Sequence, residues 1–460
     1  MATTSNSENI ILIHNARIVN EGKIIFGYVV VEGEKIAEVS EGEPVAEIRD
    51  RATEIVDARE RLLLPGCIDG HVHFRDPGLT HKADMATESQ ASVVGGVTSF
   101  IDMPNTKPAT TSMAEVEAKM RRAADSSVAN YGFFIGATNS NIDELLNADY
   151  TRVAGVKLFM GSSTGNMLVD DNNTLARIFS EVPALVAVHA EDEQLIAERR
   201  KAIIDRYGEE LDIEFHPVIR NHDVCYRATS RAVEMAQRHG TRLHVCHVST
   251  ADELELFTPG DVDSKRITAE TGPQYLVFSD EQYPMFGARI KCNPAIKRPA
   301  DREALRRAVV DGRIDTIGTD HAPHLLEEKR GTALTAVSGM PLIQFSLPVL
   351  MELVSEGIFS VEQVVEKTAH NPAKVFGIER RGFIRPGYYA DLVLLDDDCD
   401  PYTITDSWAV SRCGWTPFSG LTINNRVDMT WVNGRIAYRH GVVFSAVRGL
   451  PLKFIQKTFK

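Results

Sequence analysis

The sequence predicts an α/β fold, a TIM-type (β/α)8 barrel with a smaller β-sandwich domain built from both chain termini. Three observations predict it. Apolar strand-like runs alternate with segments of helical period through the middle of the chain. Short strands and turns dominate both ends, with little helix between them. Several of the middle runs finish in histidine or aspartate, residues that a packed barrel interior does not need. At 460 residues the chain is long enough for one large domain and a smaller one.

Taken in order, ILIHNARIVN, KIIFGYVVVEGEKIAEV and TEIVDARERLLL read as strands broken by Gly-rich and charged turns. The same texture returns in RPGYYADLVLLD and RVDMTWVNGRIAYRHG. Residues 1–62 and 385–460 are therefore assigned to the small β domain, and 63–384 to the barrel. The first barrel strand runs through LLLPGCIDG into His71. VTSFIDM, ANYGFFIGA, VAGVKLFM, ALVAVHA, TRLHVCHV, KRITAE and DTIGTD supply seven more. Between them AEVEAKMRRAAD, TLARIFSEV, DEQLIAERRKAIIDRYG, YRATSRAVEMAQRHG and REALRRAVV carry the helical period. An open doubly wound sheet is the alternative, but no Gly-rich phosphate loop opens a helix.

Composition narrows the partners. The chain is 43% hydrophobic and 25% charged, ordinary for a soluble globular protein. A net charge of −14 argues against a nucleic acid held through its phosphates. No run reaches the ~18 to 20 apolar residues of a membrane span. The start, MATTSNSENI, lacks the basic and apolar regions of a secretion signal. Six cysteines without a CxxC pair read as free thiols of a reducing compartment, so the cytoplasm is the expected location.

In a barrel of this type chemistry sits at the C-terminal ends of the strands. His71 and His73, two apart in a strand, project to one face and can grip one ion together. Alone, such a pair is as readily a solvent-facing strand. Lys157 in the fourth strand, His189, His247 and Asp320 extend it to a set that suits two divalent cations. Lys157, flanked by apolar residues, is costly as an unpaired ammonium, and more so beside cations. The strand alone is as compatible with a lysine that reaches water or pairs with an acid. Beside four histidines and Asp320, carbamylation by carbon dioxide is favoured, giving an anion able to bridge two metals ~3.5 to 4 Å apart. His244, His321 and the remaining histidines are read as packing or surface residues, and Asp396 to Asp398 as a solvated turn.

PGCIDGHVHFRDPG, GVKLFM, HAEDE, HVCHVST and TDHAPH, in that order over roughly residues 60 to 325, resemble the amidohydrolase superfamily and, within it, the dihydroorotase family. ADLVLLD and VNGRI resemble the family's C-terminal strands. The resemblance implies one zinc held by His71, His73, carbamylated Lys157 and Asp320. It implies a second held by His189, His247 and the same carbamate. A bridging lysine resembles the pattern of hydantoinases and of animal dihydroorotases. By the same resemblance Arg75, Asn105 and His324 would hold the carboxylate of dihydroorotate, and Asn293 would contact its ring. A guanidinium suits a carboxylate because it binds both oxygens at once.

The reaction expected is reversible hydrolysis of the cyclic amide of L-dihydroorotate to N-carbamoyl-L-aspartate, in pyrimidine synthesis. Metal-activated hydroxide would attack the amide, with Asp320 as general base and then acid. A hydantoinase, dihydropyrimidinase or allantoinase is the nearest alternative, and a non-catalytic scaffold on the same fold a more distant one. A mononuclear deaminase is disfavoured because a bridging carbamate serves no purpose with one ion. The Gly161–Asp171 segment is read as a lid or, equally, a surface turn. Homo-oligomerisation and association with a transcarbamoylase are left open.

Overall fold

The computed structural model describes residues 9–160 and 167–457. Eight successive parallel strands build the barrel. They are Cys67–Val72, Val97–Asp102, a divided third strand, Val156–Phe159, Val186–His189, Leu243–Val245, Ile267–Thr271 and Thr316–Ile317. The third strand joins two arcs: Asn130–Phe133 pairs with the second strand, and Ile135–Gly136 with the fourth. The ring closes where Val72 bridges His321 and the His73 N–H donates to the His321 carbonyl at 2.8 Å.

The helices begin and end on local chemistry. Ser112, Asp171, Asp192 and Asn221 each accept a first-turn backbone N–H, which satisfies one of the free donors there. Gly240 and Gly312 end two helices with left-handed backbone, where a side chain would be strained. Helix His222–His239 buries Val224, Ala228, Ala232 and Ala236, a stripe at helical spacing that covers the barrel wall.

Leu62–Pro65 links the two parts of the molecule. It pairs in parallel with Ile10–Asn20 and antiparallel with Leu392–Asp396, then runs into the first barrel strand. The nine-stranded sheet built around it folds over a core of Ile11, Ile13, Val29, Val31, Leu394 and Trp431. Its hairpin turns at Glu21-Gly22 and Asn433-Gly434 have left-handed backbone at both positions, the twist that suits a two-residue hairpin loop.

Within the 385–460 segment, residues 450–455 leave this sheet. The Leu452 N–H donates to the Tyr131 carbonyl at 2.8 Å, and the Ile455 N–H to Gly377 at 2.7 Å. Leu452 and Phe454, two apart, turn the same way and join Ile68, Ile101, Phe134, Ala187 and Phe376 in one apolar cluster of the barrel. Asp396 and Asp397 form ion pairs with Arg61 and Arg17. All six cysteines are free thiols. Among the described residues no helix is long and apolar enough to cross a membrane.

Candidate active site

His71 is the penultimate residue of the first strand, Cys67–Val72, and His73 follows that strand directly. At Gly70 a Cβ would lie 2.2 Å from the Phe376 ring, so only glycine lets the strand pass so close on its way to His71. The Nε2 atoms of His71 and His73 lie 3.4 and 3.0 Å from Asp320 Oδ1. His71 Nδ1 is 2.7 Å from Glu270 Oε1, and His73 Nδ1 is 2.7 Å from Asn105 Oδ1. His189 Nδ1 and His247 Nε2 are 2.8 Å apart, and His189 Nε2 is 3.1 Å from Glu191 Oε2, which Arg220 pairs. Two rings, those of His71 and His73, thus turn Nε2 inward and give Nδ1 to an oxygen acceptor. Metal-ligating imidazoles are oriented in this way.

Lys157 is fully buried, with Nζ 3.0 Å from Cys246 Sγ and 5.3 Å from the centre of the Phe159 ring. Among the described residues it has no carboxylate partner. Asp69 accepts from the Thr319 hydroxyl at 2.5 Å and from the N–H groups of Thr319 and His71. This carboxylate ties the first strand to the loop that presents Asp320. Arg75, His247 and Asp320 all have positive φ (64°, 39° and 51°), a conformation costing of order 1–3 kcal/mol each and held here by the packing around them. His247 and Asp320 therefore lie just past the ends of their strands.

The electrostatics divide the histidines: burial pushes His73 down to about 4 and His247 well below the usual imidazole range, whereas His71 moves the other way. Burial and Lys157 oppose a charge on His71, yet Asp320, Cys246 and Glu270 outweigh them and push its pKa up to about 10. Burial works against the Asp320 carboxylate, but His71 and His73 hold its pKa below the usual range. His71, His73 and Asp320 offer donor atoms within 4.8 Å of one another; His71, Cys246 and Glu270 form a second such group. Because Glu270 engages the outer nitrogen of His71, we read that second group as support for the first. The donor set as a whole fits a divalent-cation centre, with imidazole nitrogens and a carboxylate oxygen converging in a buried pocket.

His71, His73, Arg75, Asn105, Lys157, His189, His247, Asn293, Asp320 and His324 all line one cavity of about 360 Å³. The Arg75 guanidinium is buried, donates to the Pro323 carbonyl at 3.1 Å and lies 2.9 Å from His324 Nε2. Asn105 lines the same space, with its Oδ1 on His73. Asn293 Oδ1 is buried without a hydrogen-bond partner among the described residues. The same region contains groups that the sequence did not single out: Glu270, Glu191, Cys246 and His216, whose Nε2 donates to the Cys292 carbonyl at 2.8 Å. Glu270 carried a readable signal, an acid in a fully buried stretch of the strand Ile267–Thr271. His244 bonds Thr268 and approaches Glu270, while His321 pairs with Glu88, so both are packing residues. Of the segment read as a lid, residues 161–166 lie outside the described residues; Met167 and Val169 are buried.

Comparison with known proteins follows the same lines. Residues 62–437 match the model of the amidohydrolase family. A dihydroorotase of Halobacterium salinarum is 37% identical over 79% of this chain and 84% of its own. An allantoinase of Streptomyces avermitilis is 32% identical over 82% of this chain and 84% of its own. Among solved structures, the L-hydantoinase (dihydropyrimidinase) of Arthrobacter aurescens superposes with a TM-score of 0.88 at 28% identity, covering 94% of this chain and 97% of its own.

Proposed function

Because the chain belongs to the amidohydrolase family, we propose that it is a zinc-dependent dihydroorotase, opening L-dihydroorotate to N-carbamoyl-L-aspartate and closing it in reverse during pyrimidine synthesis. The observation that carries the substrate is Arg75. Its guanidinium is buried at the cavity wall, and among the described residues no carboxylate pairs with it. A buried cation of this kind is stabilised by an anionic ligand.

Two zinc ions, one with His71, His73 and Asp320 and one with His189 and His247, sharing a carbamate on Lys157, would supply hydroxide near neutral pH and polarise the amide carbonyl. The protein's own groups do the rest. Carbon dioxide adds to the Lys157 nitrogen, which gives up a proton, so that a buried lysine without a carboxylate partner among the described residues becomes an anion. Asp320 accepts the proton of the attacking water and passes it to the departing ring nitrogen. Arg75, Asn105 and His324 hold the carboxylate, and Asn293 Oδ1 accepts a ring N–H.

The competing reading is a hydantoinase or allantoinase, favoured by the names of the Arthrobacter and Streptomyces relatives. One assay separates the two: zinc-loaded protein on L-dihydroorotate, hydantoin, dihydrouracil and allantoin, repeated with Arg75→Ala. Preference for dihydroorotate, reduced by about one to two orders of magnitude in kcat/KM by Arg75→Ala, is the expected result, since a charge-assisted hydrogen bond contributes ~1.5–3 kcal/mol. Turnover of the neutral rings, indifferent to Arg75, would move the protein to the competing reading.

A further inference from the structure

Lys82 contacts neither the cavity nor the metal cage, yet it reaches the far side of a residue that does. Its Nζ lies 3.1 Å from His324 Nδ1 and 2.5 Å from Glu328 Oε1. Glu328 is fixed in turn, since its Oε2 accepts the Leu325 N–H at 2.9 Å. The His324 ring is buried between Lys82 on Nδ1 and Arg75 on Nε2, with Gly339 packed against its edge. The Trp415 indole N–H donates to the His324 carbonyl at 2.8 Å and holds its backbone. Burial, with Arg75 and Lys82 beside it, keeps the ring far below the usual imidazole range, so it is neutral.

A neutral imidazole has one N–H and one lone pair, whereas ammonium and guanidinium groups can only donate. The two cations therefore compete for a single acceptor nitrogen. We propose that Lys82 is a positioning residue that wins this competition, locking His324 as the Nε2–H tautomer. His324 Nε2–H and the Arg75 guanidinium then both present hydrogens at the cavity wall. Two donors 2.9 Å apart cannot satisfy each other, but one carboxylate can accept from both. This assignment rests on the reading of Arg75 and His324 as the carboxylate grip.

Removing the ammonium reverses the choice. In Lys82→Met, Nδ1 loses its donor, and Glu328, 3.7 Å away and released from its ion pair, becomes an acceptor for an Nδ1–H. The lone pair moves to Nε2, Arg75 donates into it, and the grip has one donor fewer.

The test is histidine-selective ¹⁵N NMR of the zinc-loaded full chain, with the His324 signals identified by their loss in His324→Gln. The expected pattern is Nε2–H in the parent and in Lys82→Arg, and Nδ1–H in Lys82→Met. KM for L-dihydroorotate is expected to rise about tenfold in Lys82→Met, the loss of one charge-assisted hydrogen bond. Its kcat, and the constants for dihydrouracil, should stay within about twofold. Nδ1–H in the parent, or an unchanged tautomer in Lys82→Met, would overturn the proposal. The expected tautomers without any turnover of dihydroorotate would keep the lock and discard the dihydroorotase reading instead.

Discussion

Glu270 makes no direct claim on substrate, yet it decides how His71 presents itself. Its Oε1 takes the outer nitrogen of His71, and its other oxygen lies 3.4 Å from His244. Without this acceptor the ring is free to rotate or to change tautomer, and an inward-facing lone pair is no longer assured. Glu270→Ala, which removes the acceptor, should weaken zinc binding about 10- to 100-fold, read by competition with a chromophoric chelator. The ligand-type residues were legible in the sequence because histidine, aspartate and lysine are out of place at the ends of apolar runs. Their supports were harder to see. The partnership of Glu270 with His71 spans 199 residues, and no local pattern encodes it. The positive φ of His247 and Asp320 was equally hidden: aspartate and histidine tolerate that backbone better than most residues, but the surrounding packing, not the residue type, imposes it.

At the scale of elements, the second barrel strand shows how a helix and a loop are tied to the site. Asp102, at its end, accepts the Phe74 N–H at 2.7 Å and pairs with Lys119 of helix Met113–Ser126. Lys119 also donates to the Met103 carbonyl at 3.0 Å and sits 4.9 Å from the centre of the Phe133 ring. Both charges are buried. Lys119→Met would leave the carboxylate uncompensated, and denaturant unfolding should show a loss of about 3–5 kcal/mol. The helix itself was readable from its period, and the strand from its apolar run. That the inward stripe Val116, Lys119, Ala123 includes a lysine could be noticed in the sequence; that it serves the backbone beside His73 could not.

For the whole molecule, acid is the informative stress. Burial holds His216, His324 and His370 below the ordinary imidazole range, each neutral in the fold. Below about pH 6.5 the unfolded chain takes up protons that these sites refuse, so their stability is fully present above that pH and is lost as pH falls. Each group adds a slope of up to about 1.4 kcal/mol per pH unit. Unfolding free energies measured from pH 7.5 to 5.5 should therefore fall less steeply for His216→Gln than for the parent. The alternation of strands and helices made the barrel legible as a whole, and the β texture at both ends announced the second sheet. The sheet also bears on synthesis. Arg17 meets Asp397 across 380 residues, and Leu62–Pro65 receives its second partner from Leu392–Asp396. Until the ribosome has delivered the entire barrel, that all-apolar strand keeps one edge unpaired. A nascent chain of this protein is thus most prone to cross-pairing with its neighbours while its barrel is being made.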